Sequence, residues 1–405
     1  MQTDALRPLN TQRSLGHITW PFAVSQTIVW AAFYYSFPAL LPEWERDLGF
    51  SKTELSAAFT SALILSAVLA PYTGRLVDRG HARRVFMGST TLGAAMLLLL
   101  SQSHHYWQFF TIWVGIGIAM SGALYETCFA IVTRVTAERS KQAITRITLV
   151  AGLAGTVSFP TAHALTEALS WRYAILTFAA AVFILALPLI WYGCRSAGDC
   201  LGANEKADQQ PTRSSKSVLK SGIFWLLALS FTAIAIDHGM LLTHMLPIMN
   251  DRGVGPELAV VAAAMIGPMQ VTGRIVMMMA ERHVSIFGIA IGCFLGMGTA
   301  AAVLLGADGT VYLIFTFVVL QGAAYGVTSI VRPVITAKLL GRENFGVISG
   351  MLAVPFMFGY ALAPMISAVI WSVGGYDMVI TLALTVAVLG LIALLMARRS
   401  AHSIT

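Results

Sequence analysis

The chain has 405 residues, of which 57% are hydrophobic and 11% charged, and its mean hydropathy is +0.74. Soluble domains carry about 25% charged residues, so this composition excludes a water-soluble globular protein and reads as a polytopic membrane protein. The net charge of +7 does not imply a nucleic-acid partner, because the basic residues are spread over loops between apolar runs, as membrane insertion requires.

Met1 to Ser14 is polar and lacks the short apolar core and cleavage site of a signal peptide. The first apolar run is therefore expected to be an uncleaved first helix. Crossing about 30 Å of hydrocarbon takes roughly 20 apolar residues, and each span must satisfy its own backbone polar groups. Twelve such runs follow in order: 18–41, 54–73, 85–102, 107–133, 146–166, 173–193, 221–248, 257–280, 285–305, 310–333, 346–369 and 377–397. The expected fold class is an all-α membrane protein of twelve transmembrane helices in two six-helix bundles. Its expected domains are an N-terminal bundle at 1–193, a cytoplasmic linker at 194–220 and a C-terminal bundle at 221–405.

Lys and Arg set the orientation, because basic loops stay in the cytoplasm. With both termini inside, only Arg46, Lys52, Arg172 and Arg252 fall in external loops and Arg274 within a span, leaving 21 of the 26 basic residues at the inner face. The reverse orientation inverts that bias. A multi-pass protein of the cell inner membrane with cytoplasmic termini is expected.

Span 1 places Gln26, Trp30 and Tyr34 four residues apart, on one helical stripe. An amide, an indole and a phenol in a row suit contact with an organic solute, or packing and interface anchoring. Between spans 2 and 3 lies the basic turn Gly74-Arg75-Leu76-Val77-Asp78-Arg79-Gly80-His81-Ala82-Arg83-Arg84. With Gly74, Asp78, Arg79, Arg83 and Arg84 it resembles the loop signature of the major facilitator superfamily of secondary transporters. One departure is that Gly80 follows Arg79 directly, where the family usually places one residue between them. The resemblance implies the major facilitator fold, alternating access, a central cavity lined by spans 1, 4, 7 and 10, and a gating role for this turn. It also implies a small-molecule substrate and a monomer in the lipid bilayer.

Traces of an internal repeat support two related halves. Ser121-Gly122-Ala123-Leu124-Tyr125 on span 4 recurs at an offset of 200 residues as Gln321-Gly322-Ala323-Ala324-Tyr325 on span 10. Tyr325 joins Gln26, Trp30 and Tyr34 as a candidate substrate contact. Aligning Asp78-Arg79 with Glu281-Arg282 places Arg274 seven residues before Glu281, about 10 Å deeper along the helix. The alternative, pairing Thr73-Gly74-Arg75 with Thr272-Gly273-Arg274, makes Arg274 a junction residue.

Charges inside a span are costly and tend to face a cavity. They are Glu126 on span 4, Asp237 on span 7 and Arg274 on span 8, with His163, His238 and His244 as titratable companions. Asp237, Leu241 and His244 share a face, a candidate proton-handling stripe in which Asp237 and Arg274 either exchange a proton for substrate charge or form a static ion pair. Glu126 reads as a second proton site, an inner-gate partner, a substrate ligand or a helix-packing residue. His238 and His244 are either proton-coupling groups or hydrogen-bonded structural histidines.

Three segments resemble bacterial relatives of the monocarboxylate transporters: Ala151-Gly152-Leu153-Ala154-Gly155-Thr156, His244-Met245-Leu246-Pro247, and Gly267-Pro268-Met269-Gln270-Val271-Thr272-Gly273-Arg274. This resemblance implies proton-coupled symport of a small carboxylate-bearing anion, with Arg274 on the carboxylate. Animal members carry a Lys in span 1 and an Asp four residues before the span 8 Arg. Here span 1 has no Lys and position 270 is Gln270, so Gln270 becomes a candidate substrate contact and Asp237 the acid.

The alternative is a proton-driven antiporter exporting a drug or toxic compound, metalloids included, for which Cys128 would be a soft ligand. Such antiporters tend to carry a glycine-proline-glycine pattern in span 5, whereas Pro160 here precedes Thr161-Ala162. The four cysteines, Cys128, Cys194, Cys200 and Cys293, show no metal-ligand spacing. No metal, cofactor or disulfide is expected. Nor does the sequence offer a nucleophile with a positioned base, so an enzyme is not expected.

Overall fold

The computed structural model describes residues 11–136, 139–197, 221–340 and 345–402. Most of the expected linker lies outside these residues. Among the described residues the secondary structure is helical, with no strand. The chain divides into two compact units, Met1–Leu40 with Ser61–Ala207, and Leu41–Thr60 with Asp208–Thr405.

The first part of the chain forms α1 (Thr11–Trp30), a π-helical turn (Ala31–Tyr35), α2 (Ser36–Leu48) and α3 (Lys52–Leu76). A second π-helical turn (Val77–His81) leads to α4 (Ala82–Leu100), α5 (Tyr106–Ala123), α6 (Tyr125–Thr136), α7 (Ser140–Ala151) and α8 (Ala154–Ala168). Then come α9 (Trp171–Ala181), a third π turn (Val182–Ala186) and α10 (Leu187–Ala197). The remainder forms α11 (Gly222–Thr243), α12 (Met245–Asp251), α13 (Pro256–Ala280), α14 (Ile286–Leu305), α15 (Val311–Leu340) and α16 (Phe345–His402).

Among the described residues, nine helices are long and apolar enough to cross a membrane. The other three expected spans have visible reasons for missing that count. The first is diluted by Ser25, Gln26, Thr27, Tyr34 and Tyr35, and the third begins with Arg83 and Arg84 inside α4. The eleventh and twelfth are merged in α16, where Gly374 and Gly375 leave helical geometry and Gly375 takes φ 68°. The protein is thus an all-α membrane protein of twelve spans in two bundles.

Helix starts follow from local chemistry. Ser51 and Glu54 open α3 as a capping box, the Ser51 Oγ accepting from the Glu54 amide at 3.2 Å and the Glu54 carboxylate from the Ser51 amide at 2.8 Å. Pro256 begins α13, where its missing N–H removes no helical bond. In the basic turn Gly80 has φ 85°, a left-handed conformation that glycine adopts without penalty. The Gly directly after Arg79 therefore makes the corner itself.

Each unit has its own apolar core. In the first, Ile18, Phe22, Phe86, Cys128, Ile147 and Ile190 join five spans. In the second, Phe224, Phe231, Phe294, Met297, Val331 and Leu394 join four. Close approach depends on glycine: a Cβ on Gly326 would lie 2.3 Å from the Gln270 carbonyl, and one on Gly273 2.3 Å from that of Ala323. These contacts hold α13 and α15 backbone to backbone, as small residues do in membrane bundles.

Each of the four basic residues expected outside is tied to protein groups. Arg46 pairs with Glu43 and Asp47, and Lys52 with Glu45 at 2.7 Å. Arg172 donates to the carbonyls of Ser101 at 2.6 Å and Ser103 at 3.1 Å. Arg252, its side chain only 6% exposed, pairs with Asp308 and Asp377, while its carbonyl accepts from the Gly309 amide at 2.7 Å. It therefore pins three turns of the second unit together. Arg252→Gln is expected to lower stability by about 1–2 kcal/mol, or roughly 2–8 °C in a thermal scan of the purified protein, without changing transport selectivity.

Candidate functional site

In the second unit, Asp237 lies within α11 with no solvent exposure. Its Oδ2 accepts from Gln321 Nε2 at 2.8 Å, while Asp237 Oδ1 and Gln321 Oε1 have no protein partner among the described residues. One residue on, His238 stacks on Tyr325 with ring centroids 3.4 Å apart and planes 8° from parallel, and its Nδ1 is likewise unpartnered. A cleft too tight to admit water is lined by His238, Leu241, Met245, Ile266, Phe317 and Gln321.

Two cations lie near Tyr325. Its hydroxyl bonds to Tyr360 and lies within electrostatic reach of Arg274 and Arg332. Arg274, inside α13 and half-buried, donates its Nε–H to the Gly326 carbonyl at 2.9 Å. Arg332 sits 4.2 Å over the Phe356 ring. The buried Gln270 is the residue against which Gly326 packs. Asp237, Arg274, Gln270, His238 and Tyr325 thus converge on the α11, α13 and α15 faces of one unit.

Two expectations need correction. Asp237 and Arg274 form no ion pair: the carboxylate takes Gln321 and the guanidinium takes a backbone carbonyl. The Asp237–His244 stripe is also broken, because α11 ends at Thr243 and His244 leaves helical geometry with φ −99° and ψ 19°. Its Nε2 lies 3.3 Å from both Ser56 Oγ and the Pro364 carbonyl, and its Nδ1 3.3 Å from Tyr376 Oη. A carbonyl only accepts, so Nε2 carries the proton and Nδ1 accepts from Tyr376. This histidine is held as a structural hub of the second unit.

In the first unit the span 1 stripe meets a break in span 4. Leu124 is extended, with φ −88° and ψ −163°, between α5 and α6. Gln26 Nε2 donates to the Ala123 carbonyl at 2.9 Å, so its amide N–H helps satisfy this break, while Oε1 has no protein partner among the described residues. The π turn after Trp30 is supported similarly by Ser158, whose hydroxyl donates to the Ala31 carbonyl at 3.0 Å. Backbone irregularity at membrane depth persists only where it is buried in protein or lines a cavity.

Around these breaks sits an aromatic cluster. Trp30 lies 5.5 Å from Tyr34 and 4.8 Å from Tyr125, and Tyr125 stacks on Phe129 at 4.9 Å. Tyr34 is buried, and the half-buried Trp30 has its indole N–H without a protein partner among the described residues. In the basic turn Arg79, Arg83 and Arg84 are exposed, and a Cβ on Gly74 would meet nothing within 4 Å. The side chains of Asp78 and Glu126 lie outside the described residues. Cys128, Cys194 and Cys293 are buried free thiols, and Cys128 belongs to the first unit's core.

Sequence reasoning missed Gln321, Arg332 and Tyr360 as members of the site. Two of them had a signal: Gln321 lies four residues before Tyr325 and Arg332 seven after it, on the same helical face.

Sparse buried charges beside interrupted helices, in two six-span bundles, define a polytopic membrane transporter. A family model for the major facilitator superfamily matches residues 22–307. The chain belongs to that superfamily. No curated protein matches the chain in sequence. Among solved structures it is similar to a bacterial homologue of the human lysosomal transporter Spinster, inward-facing and occupied, with TM-score 0.74, 12% identity and coverage of 95% of this chain and 97% of that one. It is also similar to the nucleoside transporter NupG, with TM-score 0.68, 15% identity and coverage of 96% and 99%.

Proposed function

We propose that the protein couples proton movement to transport of a small organic anion bearing a carboxylate, by alternating access in the plasma membrane with both termini cytoplasmic. The observation that carries this reading is Asp237, a fully buried carboxylate paired with an amide instead of a cation. A buried charge without a counter-ion is costly, and taking up a proton removes it. Arg274 and Arg332, both within electrostatic reach of Tyr325, supply the positive field for a carboxylate. His238, next to Asp237 in the chain, stacks on Tyr325, and Tyr325 lies within electrostatic reach of both arginines, so this ring pair links the acid to the cations.

A second reading, proton-driven export of a planar drug, draws support from the aromatic cluster of Trp30, Tyr34, Tyr125 and Phe129. Proteoliposomes under an imposed pH gradient separate the two. Carboxylates are expected to accumulate from the acidic side, with loss of the gradient when a protonophore is added; cationic aromatic drugs and nucleosides serve as the comparison panel. Accumulation of a cationic drug in exchange for protons, with no carboxylate uptake, would replace the first reading with the second.

A further inference from the structure

We propose that the end of the first unit carrying the basic turn binds the phosphodiester of an anionic phospholipid between Arg83 and Arg195, over the Trp191 indole. The two guanidinium carbons lie 5.8 Å and 5.2 Å from the centre of that one ring. Cation–π attraction holds each Arg at the indole, and with 5.8 Å and 5.2 Å to one ring centre the two like charges lie no more than about 11 Å apart and repel. A shared anion relieves that repulsion.

The protein itself supplies no such anion among the described residues. The helices that meet here, α1, α4 and α10, contain no Asp or Glu. Among the described residues neither Arg83 nor Arg195 has an ion pair, whereas Arg46 and Arg252 pair with carboxylates. The meeting point is firmly built: Phe22 packs on Phe86 at 5.8 Å, and Gly193 lets α10 close on the Phe22 ring, where a Cβ would lie 2.8 Å from it.

The surroundings favour a lipid over a free anion. Trp191, Tyr192 and Trp20 are 36%, 44% and 58% exposed, the residue types that gather where membrane meets water. On the α1 side of α10 a groove of about 410 Å³ is lined by Gly16, His17, Trp20, Pro21 and Tyr192, with His17 Nδ1 3.4 Å from Tyr192 Oη. An acyl chain fits such a mostly apolar channel, and a free phosphate gains nothing from it. Basic pockets between spans at this level bind acidic lipid headgroups. The proposal does not depend on the transport reading.

The test uses purified full-length protein titrated with dioctanoyl phosphatidylglycerol, dioctanoyl phosphatidylcholine or inorganic phosphate, followed by tryptophan fluorescence and thermal shift. Phosphatidylglycerol is expected to bind and stabilise, phosphatidylcholine to do so at least tenfold more weakly, and phosphate to have no effect. Arg83→Gln with Arg195→Gln should weaken phosphatidylglycerol roughly 30-fold. Because removing basic residues can disturb insertion, Trp191→Leu serves as the second variant: it keeps both charges and should weaken binding several-fold. Equal binding of both lipids, binding of phosphate as strong as phosphatidylglycerol, or unaltered lipid binding in the variants would each overturn the proposal.

Discussion

Asp237→Asn is expected to abolish proton-driven accumulation while solute exchange down its own gradient continues. Asn is isosteric with Asp, and its side-chain oxygen still accepts from Gln321 Nε2, a bond now 2.8 Å long. The local fold should therefore survive, and what disappears is the group that can alternate between charged and neutral. A loss of at least roughly tenfold in steady-state accumulation is the expected size, since a pH gradient of one unit stores about 1.4 kcal/mol per proton. Initial counterflow rates should fall much less. If Asp237 were only a packing hydrogen bond, Asn would be nearly silent in both assays. Unchanged pH dependence of uptake in this variant would move proton coupling elsewhere, with Glu126 the next residue to replace.

Much of the architecture was legible because hydrocarbon imposes a simple rule: a long apolar run must become a helix. The expected runs are helical over most of their described residues, but residues 41–60, expected in the N-terminal bundle, cluster with the second compact unit. The breaks inside spans were not legible. Nothing in Ala31–Tyr35 or at Leu124 announces irregular backbone. These breaks persist because Ser158 and Gln26, distant in sequence, bond the carbonyls nearby. The surroundings of His244 were hidden for the same reason. Its role depends on Ser56, Pro364 and Tyr376, and no periodicity along one helix can reveal such partners.

The site was half legible. Scarcity of intramembrane charge picked out Asp237 and Arg274, but the expected attraction between them rested on opposite sign alone. Geometry supplied a neutral partner to the acid and a carbonyl to the base. Arg332 was passed over because it falls at the end of an expected span, where basic residues are usually topology signals. Its position two helical turns from Tyr325 was the better guide.

Arg274→Gln is expected to remove most of the affinity for an anionic substrate. The Nε–H bond to the Gly326 carbonyl at 2.9 Å fixes the plane of the guanidinium beside Tyr325, so the group is already oriented before a carboxylate arrives. Losing a charge-assisted contact of this kind costs about 2–4 kcal/mol, a rise in apparent KM of roughly 30- to 1000-fold. Gln keeps a donor that can still reach the carbonyl, so α13 and α15 should stay together through Gly273 and Gly326. Arg274→Lys separates charge from shape: it retains the positive field but not the planar fork, and should fall between wild type and Gln. A purely structural Arg274 predicts a different pattern, in which both variants lose thermal stability and the substrate-induced thermal shift of the folded fraction is unchanged. Observing that pattern would transfer anion binding to Arg332, where Arg332→Gln should then produce the affinity loss.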